Sequence, residues 1–228
     1  MSDSIGAPSR RRLLMSGAGL VGGVALGGAG MSGTASAASI TAGASVWSGG
    51  TSANGWPVIP EPEARRIEGS DIDVTVRPGD VATVLLHVAR RYYYEIDTLR
   101  KGEVSGHGAS REIAQPYESN YLSGTAIAIR PGSYPVGVKE GFFPLELMVI
   151  RDILAECKGV VRWGGDEEIP KESHFQIDVG PGDRRLENFA DQISAWHLRP
   201  GQGAGSIDPF TAARRSASQR MERKQRVA

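Results

Sequence analysis

Residues 117–130 read YESNYLSGTAIAIR, and residues 159–179 read GVVRWGGDEEIPKESHFQIDV. Both have the pattern of a polar loop feeding a strand. In the first, Ser119, Asn120, Ser123 and Gly124 supply turn chemistry, after which Thr125, Ile127 and Ile129 alternate with Ala126, Ala128 and Arg130. In the second, Val160, Val161 and Trp163 form a short apolar strand that Gly164 and Gly165 end. An acidic loop follows, and then His174, Gln176 and Asp178 alternate with Phe175, Ile177 and Val179. A strand turns successive side chains to opposite faces, so two such strands side by side collect their polar residues on one face. That face is where a site is expected.

Working outward, the succession Ser119-Asn120-Tyr121-Leu122-Ser123-Gly124-Thr125-Ala126-Ile127-Ala128 resembles the pattern S-x-H-x-x-G-x-A-x-D, and Lys171-Glu172-Ser173-His174-Phe175-Gln176 resembles an acid placed three residues before a histidine. The segments IRDILAEC and VVRWGGD lie between them in matching order. Together these resemble the D-alanyl-D-alanine carboxypeptidase and L-alanyl-D-glutamate endopeptidase family of zinc peptidases, which includes phage endolysins and cuts peptidoglycan stem peptides. The likeness spans residues 81–179. It implies an α+β fold of the hedgehog/DD-peptidase-like kind, a small mostly antiparallel sheet with packed helices.

The same resemblance carries zinc-ligand positions onto Tyr121, Ala128 and His174, and a general-base position onto Lys171. A catalytic zinc takes three protein donors and leaves a fourth position for water. Of the three residues only His174 is an ordinary donor; alanine has no lone pair to give, and a lysine cation does not take a proton from bound water. Glu172 is one residue away, and a one-residue offset in a strand reverses the face. Two readings follow. The first is a catalytically impaired relative that binds peptidoglycan peptides or a cell-wall protein, with no cofactor expected. The second is an active zinc metallopeptidase whose ligand set is rebuilt from residues such as His107, Glu172 or Asp166. Candidate substrate contacts are Ser119, Ser123, Trp163 and Asp166. Arg111, ahead of the first motif, is placed either as a substrate carboxylate binder or as a loop arginine paired with Glu112 or Glu118. The run Asp166-Glu167-Glu168 is either a solvated loop or a subsite for a cationic amine.

The chain begins with Ser9-Arg10-Arg11-Arg12-Leu13-Leu14, then an apolar, glycine-rich run closed by Ala35-Ser36-Ala37. That is the pattern of a twin-arginine export signal, removed at a small-residue site. The expected organisation is a signal at 1–37, an extended arm at 38–77, the peptidase-like domain at 78–199 and a basic disordered tail at 200–228. The implied destination is the cell wall or the medium, with no stable membrane anchor after cleavage. The 228 residues carry 26 Lys and Arg against 26 Asp and Glu, a balance that argues against nucleic acid as partner. The single cysteine, Cys157, excludes an internal disulfide and is read as a buried thiol.

Within the domain, Val81, Val84, Leu85 and Val88 recur at helical spacing after an Asp80 N-cap, with His87 on the flank. The aromatic run YYYEIDTL at 92–99 predicts a strand. Pro144 opens a helix striped by Leu147, Ile150, Ile153 and Leu154, and residues 183–198 predict a closing helix with Leu186, Phe189, Ala190 and Ile193 on one side.

Overall fold

Alternation in the two quoted stretches places two strands at the centre of the main sheet. The computed structural model describes residues 44–199 and 208–227; the export signal predicted at 1–37 lies outside them. In chain order the elements are β1 (Ser45–Val46), β2 (Ala64–Arg66), β3 (Asp73–Thr75), α1 (Asp80–Glu95), β4 (Val104–Ser105), β5 (Glu112–Ile113), a 3-10 turn (Pro116–Tyr121) and β6 (Ala126–Ile129). There follow α2 (Pro144–Glu156), β7 (Val161–Trp163), a second 3-10 turn (Gly164–Asp166), β8 (His174–Ile177), α3 (Arg184–His197) and α4 (Ala212–Val227). The fold is α+β. A four-stranded sheet in the order β4-β6-β8-β7 is antiparallel throughout, and two small two-stranded sheets pair β1 with β5 and β2 with β3.

Register sorts the side chains into two faces. Ser105 sits opposite Ala128, Ala128 opposite His174, Ala126 opposite Gln176, and Gln176 opposite Arg162. The intervening residues Val104, Ile127, Ile129, Phe175, Ile177, Val161 and Trp163 belong to the hydrophobic core. Against that apolar face packs α1, whose Val81, Val84, Leu85, Val88, Ala89 and Tyr92 are all buried on one stripe. Each such burial is worth roughly 1.5–3 kcal/mol for a Val- or Leu-sized side chain. α2 packs beside β7, and α3 closes over α1 with Leu186, Phe189, Ala190 and Ile193.

The strand predicted over residues 92–99 is absent. α1 continues through Tyr92, Tyr93 and Tyr94 to Glu95, because Tyr92 falls four residues after Val88 on the buried stripe and Arg91 pairs with Glu95 one turn on. Burial and the ion pair override the strand preference of tyrosine. The cap also differs from expectation: Gly79 is the N-cap, at φ 85°, and Asp80 is already the first helical residue. At the other end, residues 212–227 form a helix where composition predicts a disordered tail. Its Arg214 finds the carboxylates of Asp152 and Glu156 on α2, partners that charge counting along the chain does not reveal. Cys157 is fully buried at the end of α2, and burial holds its thiol well above the ordinary range.

Candidate functional site

The polar face of the sheet is floored by β6 and β8 and roofed by the first 3-10 turn. That turn forms because Pro116 fixes its first residue while Glu118 reaches back to accept the backbone N–H groups of Ala114 and Gln115. It delivers Tyr117, Asn120 and Tyr121 over His174. Gly124, at φ 67°, then turns the chain into β6 and accepts the Arg77 N–H at 2.8 Å; a Cβ there would meet Arg77 N at 2.7 Å. Gly164 has a similar role, because a Cβ on it would meet the Lys171 carbonyl at 2.5 Å and the His174 Cβ at 2.8 Å.

His174 is wholly buried and both ring nitrogens are engaged. Nδ1 lies 2.7 Å from the Tyr121 hydroxyl and Nε2 lies 2.8 Å from Gln176 Oε1. The proton positions follow from a backbone group at the far end of the chain of contacts. The Asn54 N–H donates to Asn120 Oδ1, so Asn120 presents its Nδ2 to Gln176 Oε1, at 2.6 Å. Gln176 Oε1 therefore also accepts from His174 Nε2–H, and the remaining lone pair on Nδ1 accepts the Tyr121 O–H. Burial pushes the imidazole down to about 4, with Lys171 adding to the effect, and drives the Tyr121 phenol well above its usual range. Both groups are neutral across ordinary pH. The rings of Tyr117 and Tyr121 lie 4.9 and 5.1 Å from that of His174.

Tyr121, Ala128, His174 and Lys171 come together in space. Ala128 is the cross-strand partner of His174, and Lys171 Nζ lies 5.0 Å above the Tyr121 ring while pairing with Glu118 at 2.7 Å. These residues do not fit a zinc ion. The one lone pair of His174 is occupied by a hydroxyl, Ala128 offers no donor, and Lys171 brings an ammonium that is paired with Glu118. The rebuilt set does not converge either. His107 Nε2 contacts the Ile59 carbonyl, the Glu172 carboxylate accepts the N–H groups of Glu140 and Gly141, and Asp166 pairs with Arg151 and Arg226. Among the described residues no three His, Cys, Asp or Glu side chains form a group that could hold a metal ion.

Several predicted contacts are spent inside the fold. Trp163 belongs to the core face, and its indole N–H donates to the Glu172 carbonyl. The Asp166 side chain is fully buried on the α2 side, away from the acidic loop's exposed rim. Ser119 and Ser123 are buried and pin the N-terminal arm: Ser119 accepts the Ala53 N–H, and the Ser52 hydroxyl donates to Ser123. Arg111 donates to the carbonyls of Trp47 and Gly49, so it binds neither Glu112 nor Glu118 and is not at the site.

Beside the His174 network opens a cleft of about 650 Å³. Asn54, Tyr117, Asn120, Arg162, Glu167 and Gln176 line it, with Glu168 and Asp178 at its side. Arg162 lies 3.2 Å from Glu167 and 3.7 Å from Asp178. Burial raises both of those carboxyl groups, and Arg162 opposes the effect. Two of the three lining carboxylates thus share the lining guanidinium. Sequence reasoning did not single out Asn54, Tyr117 or Arg162; for Arg162 the signal was available, since it alternates with Val161 and Trp163 on the face of Gln176. The arm is fixed over this cleft by Asn54 Nδ2, which donates to Thr125 Oγ1 and the Ile177 carbonyl, and by the Trp56 indole N–H on the Val179 carbonyl. No protein-family model, curated protein or solved structure matches the chain.

Proposed function

We propose that this chain is an exported cell-wall protein that binds peptidoglycan stem peptides in the cleft over the sheet's polar face and does not cleave them. The observation that carries this reading is the closed hydrogen-bonded chain Tyr121–His174–Gln176–Asn120, which fills the place a hydrolytic centre would need for an ion and its water. The cleft beside it remains open. Its lining suits a short peptide that offers amides, carboxylates and a free amine, because it combines the amide side chains of Asn54, Asn120 and Gln176 with one guanidinium and three carboxylates. The export half of the proposal rests on Arg10, Arg11 and the Ala35-Ser36-Ala37 site.

The test is calorimetric titration of the chain lacking residues 1–37 with a stem tetrapeptide, followed by mass analysis of the peptide recovered. The expected result is saturable one-to-one binding, an intact peptide, and weakened binding in Glu167→Gln, which removes a charge from the cleft wall. Absence of binding, or a recovered peptide cut at a defined bond, overturns the proposal.

A further inference from the structure

The cleft's one lining cation is held from outside the cleft. Arg162 donates through Nη2 to the Gln225 carbonyl of α4 at 2.6 Å, while Gln225 Nε2 donates to the Val161 carbonyl at 2.7 Å. The last turn of α4 therefore clips onto β7, an edge strand of the sheet, and grips the side chain that faces Gln176.

α4 is attached in a manner unlike the other helices. None of its described side chains belongs to the hydrophobic core, to which α3 contributes Leu186, Phe189, Ala190 and Ile193. Its attachments are polar. Arg214 pairs with Asp152 at 2.6 Å and approaches Glu156 at 3.5 Å; Glu222 faces Arg151 at 3.3 Å; Arg226 faces Asp166 at 3.3 Å. The two buried carboxylates among these, Asp152 and Asp166, have partners in the body of the domain as well, Arg91 at 2.9 Å and Arg151 at 2.7 Å. Removing α4 would strand neither of them as an unpaired buried charge, the circumstance that makes breaking a buried ion pair costly. Arg162 likewise keeps Glu167 and Asp178.

We propose that α4 is a charge-held clasp that regulates the cleft: docked, it fixes the Arg162 guanidinium in the cleft wall, and released, it leaves that side chain held by Glu167 and Asp178 alone. The consequence for binding rests on the peptide-binding reading above. Immobilising a long side chain costs about 0.5–1.5 kcal/mol, so a released clasp is expected to weaken stem-peptide affinity by roughly two- to tenfold.

The experiment uses the chain lacking residues 1–37 and the double variant Arg214→Ala, Arg226→Ala, which removes clasp contacts without touching the cleft. Amide hydrogen exchange is followed over α4 and α3 as salt rises from about 0.05 M to about 1 M, where the screening length falls to about 3 Å. The side-chain Nε–H signal of Arg162 is recorded by NMR in the same samples without ligand, and stem-tetrapeptide affinity is measured in parallel. The expected outcome is faster exchange in α4 but not α3, at high salt and in the variant at low salt, with a shifted or broadened Arg162 signal and weaker peptide binding. Exchange in α4 that tracks α3 under every condition overturns the clasp. An Arg162 signal unchanged when α4 exchanges faster overturns its grip on the cleft, as does unchanged affinity. If no form binds the peptide, the functional reading fails, while the exchange and NMR results still decide whether α4 holds Arg162.

Discussion

One backbone N–H, that of Asn54, sets the direction of every proton from Asn120 through Gln176 and His174 to Tyr121. The neutral imidazole at its centre makes stability depend on pH with a definite sign. Folded His174 is held down to about 4 against an ordinary 6.5. Below 6.5 the unfolded chain gains a proton the folded chain refuses, so stability complete above that pH is lost progressively as pH falls to about 4. The loss is on the order of 3 kcal/mol. His87, also pushed down by burial and bonded to Glu156, acts in the same direction. NMR separates the two: we expect the His174 ring to stay neutral at pH 5, and a ring titrating near 6.5 would contradict the network. Tyr121→Phe should cost about 1–3 kcal/mol in urea unfolding, since it leaves Nδ1 buried without its donor; an unchanged midpoint would mean the hydroxyl is not needed. At this scale the sequence was partly readable. Alternation placed His174 and Gln176 on one face, but the partner of each polar atom depends on Asn54, 66 residues from Asn120 along the chain, and no local pattern encodes that meeting.

Among the elements, those that bury a clean stripe were legible and those that depend on a remote partner were not. α2 and α3 run where their apolar spacing predicts them, and β6, β7 and β8 lie within the segments that alternation marks. The docking of α4 depends on a carboxylate distant in sequence, and the extension of α1 combines the local Arg91–Glu95 pair with burial of Tyr92 in a core built by other elements. The turn into β6 tests the local side of this account. Gly124 combines a left-handed backbone with contact to Arg77 N, so Gly124→Val should destabilise by about 1 kcal/mol or more and loosen the segment carrying Arg77. A melting temperature equal to that of the unaltered chain would refute the steric argument.

For the molecule as a whole, the polar face is closed where an open centre would sit and open where a peptide could lie. The closure is chemical and so can be reversed. Tyr121→His with Ala128→Asp would set three donors around one point together with His174, since Ala128 is its cross-strand partner and Tyr121 its hydrogen-bonding neighbour. We expect that pair of changes to raise zinc affinity by at least about tenfold, and hydrolysis to require Lys171→Glu in addition. Equal zinc affinity before and after would mean that these positions do not form a ligand set. The most direct measurement is made on the unaltered chain lacking residues 1–37: zinc content after purification, with stem-peptide cleavage followed in the presence and absence of a chelator. The account predicts less than stoichiometric zinc and no chelator-sensitive cleavage; one tightly held zinc per chain with cleavage abolished by the chelator would contradict it.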